Sequence, residues 1–333
     1  MNYYITGITG FVGSHMADYL LEKEPNCTIY AIKRWRSDTK NIDHLVDNPR
    51  VVFIEADLLD RSSLRRSLKI AKPDVVYHFA AQSFPGASFK YPVKTLEVNI
   101  IGTVNLLEEI LELRDTIDID PKIISVSSSE VYGMPEEHEI PIMEKNPIRA
   151  ANPYSISKVG QDLMSQYYVK GFDLKIIITR MFSHEGPRRG DMFALSSFAK
   201  QIVKNELDIE KNGSSEKFVY HGNLDSVRTY NHIKDAIDAY YLCASDNCKA
   251  GEIYNIGGDS VCTVGEALDI LISKSIYPEL MIKKIDQARV RPTDITLQVP
   301  SSEKFRNVTG WKPTLEIDKV CEDLLNYWRE QLR

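Results

Sequence analysis

The sequence predicts an α/β protein: a doubly wound, mostly parallel sheet with a smaller C-terminal α/β lobe. Three observations carry that expectation. Short β-rich apolar runs alternate with amphipathic helical stretches through the first half of the chain. A glycine-spaced turn, TGITGFVG, follows directly on the first run. The alternation then loosens after Arg180. Apolar strands interleaved with helices build βαβ units whose sheet is covered on both faces.

The elements follow in order. YYIT reads as a strand, FVGSHMADYLLEK as a helix, and CTIYAIK and VVFIEAD as two further strands. SSLRRSLKIA is an amphipathic helix, PDVVYHFAA a strand, TLEVNIIGTVNLLEEILEL one long helix and PKIISVSS a strand. NPYSISKVGQDLMSQYYVK is helical and LKIIITR closes the regular part. Beyond it, SSFAKQIVKNELD, IKDAIDAYYLCAS and TVGEALDILISKS have helical spacing, EKFVYHG and EIYNIGG read as strands, and a last helix covers about 317–331. The division falls at 180. Residues 1–180 form a first domain, and 181–333 form mainly a second lobe, some of whose segments return to the first.

The bulk numbers exclude several classes. The chain has 333 residues and a net charge of −6, which gives no field to attract nucleic acid or an anionic membrane. No apolar run approaches the ~20 residues of a membrane span. The five cysteines (Cys27, Cys243, Cys248, Cys262 and Cys321) include no CxxC pair. The expectation is therefore reduced thiols, no metal site and a cytoplasmic protein. The N-terminus enters a strand at once, without the pattern of a leader.

Gly7, Gly10 and Gly13 form GxxGxxG between a strand and a helix, the context in which a pyrophosphate rests on free helix amides. Thr9, Phe11 and Val12 belong to the same turn. Asp57 ends a strand where it can take an adenine amino group, with Leu58 beside it. Ala80 and Ala81 end another and leave room for a cofactor. His78 reads as a packed strand histidine. A ribose 2′-hydroxyl wants an acid at the tip of the second strand and a 2′-phosphate wants arginine. Here the strand runs into IKRWRSDTK: Arg34 and Arg36, followed by Ser37, stand at its tip and no acid does, so the expected cofactor is NADP.

Tyr154 and Lys158 form YxxxK at a helix start, one turn apart and on one side. A nearby ammonium favours a phenolate, so a lowered tyrosine pKa is expected. Upstream, SVSSSEVYG (Ser125–Gly133) places Glu130 at the end of a buried strand, where a carboxylate is costly unless paired or used.

With these motifs in hand, the chain resembles the extended short-chain dehydrogenase/reductases that act on nucleotide sugars. The GDP-mannose 4,6-dehydratases are the most similar within that group. The matching stretches are GSHMADYLLEK, IKRWRS, AAQSF, SSSEVYG, NPYSISK, GPRRGDMF, GNLDSVR, RPTD and TGWKP, spread over nearly the whole length. The resemblance implies a Rossmann-type, NADP-binding first domain carrying the catalytic residues and a second lobe that binds the nucleotide sugar. It also implies a cofactor regenerated each turnover. Tyr154 is then the base at the sugar 4-hydroxyl, Lys158 tunes it, and Ser128 bonds the same oxygen. Glu130 takes the carbon 5 proton and handles the water leaving carbon 6. Ser129 stands where many related dehydratases carry aspartate. A related 4-keto-sugar reductase group carries Ser-Ser-Glu as well, so an NADPH-dependent 4-reductase and a 4-epimerase stay open as alternatives.

The nucleotide diphosphate needs cations, since arginine forks match phosphate oxygens. By resemblance, Arg188, Asn223, Arg228 and Arg291 serve the substrate and Arg189 the cofactor. Asp294 takes ribose hydroxyls and Ser88 touches the sugar. Departures fall on this side. Ser183 stands where the dehydratases read Asn, Lys200 resembles the reductase group, and Phe84-Pro85-Gly86 is unusual beside the sugar. A larger sugar such as a GDP-heptose therefore joins GDP-mannose as an expected substrate. The loop Arg34–Lys40 corresponds to one that reaches a neighbouring subunit's cofactor. With helices at Thr95–Leu113 and Asn152–Lys170 pairing in a four-helix contact, the expectation is a homo-oligomer, a tetramer.

Overall fold

The computed structural model describes every residue except Ser214, Arg291, Pro292 and Asp294. Its strands are β1 (Asn2–Thr6), β2 (Thr28–Lys33), β3 (Val51–Glu55), β4 (Val75–His78), β5 (Lys122–Val126), β6 (Ile176–Met181), β7 (His184–Glu185), β8 (Lys217–His221), β9 (Val227–His232), β10 (Ile253–Ile256), β11 (Ser260–Thr263), β12 (Met281–Ile285) and β13 (Leu297–Gln298). Its helices are α1 (Phe11–Lys23), α2 (Arg61–Ala71), α3 (Pro85–Lys90), α4 (Pro92–Leu96), α5 (Gly102–Ile117), α6 (Pro153–Phe172), α7 (Ala194–Asn212), α8 (Ile233–Cys243), α9 (Val264–Ser273), α10 (Glu303–Thr309) and α11 (Ile317–Leu332).

Seven strands form a parallel sheet in the order β10-β6-β5-β4-β1-β2-β3. Both faces are buried, which is why these strands read as continuous apolar runs. Along β1 the side chains alternate: Tyr3 and Ile5 join the core shared with α1 and α8, and Tyr4 joins the core shared with α2 and α5. β4 and β6 do the same, with Tyr77 and Ile177 on the first face and Val76, Ile176 and Ile178 on the second. The sheet thus has the expected doubly wound architecture. Strand order reverses between β1 and β4, which opens a crevice at their carboxyl ends.

A second core forms around α7, α9 and α11, with Phe198, Ile202, Leu268, Leu271 and Leu324 buried. Two small sheets serve it: β11-β9-β13 with β7 on β9, and β8 beside β12. Several of these short strands carry no legible pattern in the sequence. The first sheet also recruits late segments, since β10 pairs with β6 and Trp311 packs in the first core.

The long helix expected over Thr95–Leu113 is interrupted. Residues Glu97–Ile101 form a single π-helical turn between α4 and α5. That wider turn directs Asn99, 1% exposed, inward. Its Nδ2 donates to Gln82 O at 3.0 Å and Ser157 Oγ at 2.8 Å, and its Oδ1 accepts from Gln82 N at 2.8 Å. The extra residue per turn ties the loop after β4 to α6, a local gain that helix propensity does not register.

Candidate active site

The carboxyl ends of β1, β4, β5 and β6 open into one cleft of about 1260 Å³, closed on the other side by the second lobe. At one end lies the glycine turn. Gly7 sits at φ +74°, and a Cβ there would fall 2.8 Å from Ala80 N. A Cβ on Gly13 would fall 2.3 Å from Gly7 O, so the loop after β1, the start of α1 and the loop after β4 are packed backbone on backbone. α1 begins at Gly10 with no side-chain cap. Its first-turn amides are therefore left for a ligand. Thr9, Phe11, Val12, Arg34, Ser37, Asp57, Leu58, Ala80 and Ala81 all line this end of the cleft. Asp57 Oδ1 accepts from Leu59 N at 2.9 Å. Arg36 does not line the cleft; its guanidinium lies 4.2 Å from the centre of the Trp35 ring, turned outward.

His78 is packed, as read from the sequence. Nδ1 meets Thr6 Oγ1 at 2.8 Å and Nε2 meets Thr103 Oγ1 at 2.9 Å. Burial, then the Lys158 cation, lowers its pKa to about 3, so it is a neutral bridge between strand and helix.

Ser128, Ser129, Glu130, Tyr154 and Lys158 meet at the middle of the cleft. β5 ends at Val126 and the chain turns through a short 3₁₀ segment, Ser129–Tyr132, capped by Ser128 Oγ accepting from Glu130 N at 3.2 Å. α6 is capped by Asn152, whose Oδ1 accepts from Ser155 N at 2.8 Å. The other end of that amide donates to Glu130 Oε2 at 2.9 Å. One side chain thus starts the helix that carries Tyr154 and fixes the carboxylate facing it. α6 is pinned to β6 by a buried ion pair, Arg180 Nε to Asp162 Oδ2 at 2.8 Å.

The electrostatics differ from the YxxxK expectation. Burial and the charge of Glu130 raise the Tyr154 phenol well above its usual range, opposed by a hydrogen bond with Ser128 and the charge of Arg189. Lys158 is instead engaged with Val126 O and Gln161 Oε1, both at 2.8 Å. Burial lowers its own pKa to about 7, against the pull of Asp162. In this state Tyr154 is a phenol hydrogen-bonded with Ser128 and kept protonated by burial and the charge of Glu130, and Lys158 is a weakly basic amine on the strand end.

The far wall holds Ser183, Arg188, Arg189, Asn223 and Arg228. Arg188 is tied to α1 through Asp18 Oδ2 at 2.6 Å. Arg189 lies 3.5 Å from the centre of the Phe193 ring and 5.1 Å from that of Phe11, with Glu185 at 3.5 Å. Arg228 donates to the backbone oxygens of Val227 and Ile295. Two expected substrate residues stand elsewhere. Ser88 is fully buried in α3, its hydroxyl satisfied by Pro85 O at 2.7 Å. Lys200 pairs with Asp191 at 2.6 Å and covers the Trp328 ring, outside the cleft wall. Arg291 and Asp294 lie outside the described residues.

Sequence reading missed Arg289, Gln298 and Tyr240, which also line the cleft. Buried polar atoms without a hydrogen-bond partner among the described residues cluster here: Ser127 Oγ, His184 Nε2, Tyr240 Oη and Gln298 Nε2. Such a wall is built for a polar ligand. Phe84, in the unusual Phe-Pro-Gly stretch, meets Phe193 edge-on at 5.6 Å across it.

With fold and site in view, comparison with known proteins places the chain. Residues 4–324 match the family model described as GDP-mannose 4,6 dehydratase, and the chain belongs to that family. It is 27% identical to the GDP-mannose 4,6-dehydratase of Yersinia enterocolitica, over 96% of this chain and 92% of the relative. It is also 27% identical to the GDP-6-deoxy-D-mannose reductase of Pseudomonas aeruginosa, over 99% and 98% of the two chains. Among solved structures, a dTDP-glucose 4,6-dehydratase from Streptomyces venezuelae with NAD bound superposes with a TM-score of 0.83 at 26% identity, covering 99% of this chain and 97% of that one.

Proposed function

We propose that the protein is a GDP-sugar 4,6-dehydratase, taking GDP-mannose or a GDP-manno-heptose to the 4-keto-6-deoxy sugar with a bound nicotinamide cofactor. The observation that carries this reading is Glu130: a carboxylate fixed by Asn152 at 2.9 Å, facing the cleft beside Ser128 and Tyr154. A simple 4-epimerase has no use for a base there.

The glycine turn, with no room for a Cβ at Gly7 or Gly13, and the uncapped α1 fit a dinucleotide pyrophosphate. Arg34, the first residue after β2, stands at the strand tip where an acid would bind a ribose 2′-hydroxyl, and with Ser37 it lines the cleft, which favours NADP. When bound, the cofactor supplies a hydride acceptor that becomes the donor later in the same turnover. Tyr154, a protonated phenol in this structure, must first release its own proton to solvent, a change that the positive charge of a bound oxidised nicotinamide would favour; as phenolate its Oη takes the proton of the sugar 4-hydroxyl, and Ser128 Oγ holds that oxygen. Oxidation at carbon 4 acidifies the carbon 5 hydrogen. Glu130 removes it, and the carbon 6 oxygen departs as water on receiving a proton from the same carboxyl. Removing such a base costs ~10²–10⁴-fold.

The assembly follows the same reading. α6 exposes Ile156, Leu163 and Tyr167, each more than half accessible, and Ile101 beside them is 51% exposed. Pairing of these faces in a second copy supports a homo-oligomer, a tetramer. Among the described residues no helix is long and apolar enough to cross a membrane, which is consistent with the expected cytoplasmic location.

The test is to incubate the protein with GDP-mannose or a GDP-heptose and catalytic NADP, without reductant, and to weigh the products. Loss of one water supports the dehydratase. No change with GDP-sugar, but gain of two hydrogens when a 4-keto sugar and NADPH are supplied, assigns the reductase instead.

A further inference from the structure

We infer that Gln298 is a specificity-determining residue that reads a hydroxyl of the substrate's hexose, a role resting on the sugar-nucleotide reading above. Gln298 is 4% exposed, at the end of β13, and it lines the catalytic cleft. β13 pairs in parallel with β9, placing Gln298 opposite Arg228. The amide is half-satisfied. Ser129 Oγ donates to Oε1 at 3.4 Å, which orients the group, and Nε2 is buried with no hydrogen-bond partner among the described residues.

A buried amide donor left unpaired is costly, and native structures rarely keep one without a use. Three facts say what the use is. Ser129 lies between Ser128 and Glu130, so the free NH₂ stands at the reacting end of the cleft rather than at the nucleotide end. The group is an uncharged donor, matched to a hydroxyl oxygen and not to a phosphate, for which the arginines are the better partners. Its direction is set by a residue of the catalytic segment, so it is preorganised toward whatever sits against that segment. A site built to bond a hydroxyl rejects analogues that lack it, because its own polar group is then stranded. Gln298 thus couples sugar identity to the strand that carries Arg228.

The test uses isothermal titration of the full-length protein with GDP-mannose, with GDP, and with GDP-hexose analogues lacking one hydroxyl at a time. Gln298→Leu is expected to weaken GDP-mannose about 10-fold, the size of one lost hydrogen bond, while leaving GDP binding unchanged and without lowering the melting temperature, since it removes a buried unpaired donor. One deoxy analogue should lose the same factor against the wild type and nothing further against the variant. Gln298→Glu, which keeps the shape and replaces the donor by an acceptor, provides a second route if the leucine variant does not fold, and should weaken GDP-mannose at least as much. Equal losses for GDP and GDP-mannose, or no analogue that matches the variant, overturn the assignment. A wild type that binds neither GDP-mannose nor a GDP-manno-heptose refutes the functional reading, and with it this one, before any variant is made; if only the heptose binds, the same titrations are run with it.

Discussion

Glu130 stands not at the end of the buried strand but in the 3₁₀ segment that follows β5, and it is paired with a side chain that also caps α6. It is held in place, and its outer face is left to the cleft. Glu130→Gln keeps the bond geometry with Asn152 available and removes the base, so water loss should fall by at least ~10²-fold while GDP binding persists. A quenched-flow assay of product mass checks this. His78 offers a prediction about stability. Its folded pKa is about 3, against an ordinary 6.5. Below 6.5 the unfolded chain takes up a proton that the folded chain refuses, so stability is lost as pH falls toward 3. Urea melts of wild type and His78→Gln should therefore converge on acidification, by up to about 1.4 kcal/mol per pH unit. Curves that stay parallel would show that His78 titrates normally. At this scale the legible residues were those in contiguous motifs, because Ser128, Glu130, Tyr154 and Lys158 each sit just after a strand end or at a helix start that the pattern itself locates. Ser88 and Lys200 do not line the cleft, because packing sets the direction of a side chain on its helix. Gln298 and Arg289 were invisible because only the tertiary fold brings them to the cleft.

Among the elements, the glycine turn and α1 act as one unit. Gly13→Ala would place a Cβ 2.3 Å from Gly7 O. The start of α1 must then shift, at a cost of ~1–3 kcal/mol of stability, and binding of the nicotinamide dinucleotide should weaken by an order of magnitude or more. Fluorescence titration and a urea melt together check it; unchanged values of both would show that the turn is not packed this way. The regular helices α1, α2, α6 and α11 were readable almost to their ends because their apolar residues recur at helical spacing, and in α2 and α6 the caps Asp60 and Asn152 mark the start as well. α4 and α5 were read as one helix because the π turn at Glu97–Ile101 answers to Asn99 and its partners Gln82 and Ser157, not to the local sequence. The short strands β7, β11 and β13 are two to four residues long, too brief to show a period of two.

For the whole molecule, the fold class was legible because both sheet faces are buried and the alternation of strand and helix is written into the first half. The return of β10 to the first sheet follows from chain path rather than local pattern. The exposed stripe of Ile156, Leu163 and Tyr167 on α6 predicts the oligomer. Light scattering should show an assembly at micromolar concentration, and Leu163→Lys should reduce its mass. A wild-type monomer would contradict the four-helix contact. The central claim, that one cleft oxidises carbon 4 and then removes water through Glu130, is tested most directly in deuterium oxide. Wild-type protein and Glu130→Gln are incubated with GDP-mannose and catalytic NADP, and the product is read by mass and proton NMR. The account predicts that the wild-type product lacks one water and carries solvent deuterium at carbon 5, and that the variant forms this product at least ~10²-fold more slowly. Deuterated product formed equally fast by the variant, or a wild-type product that retains its water, would contradict it.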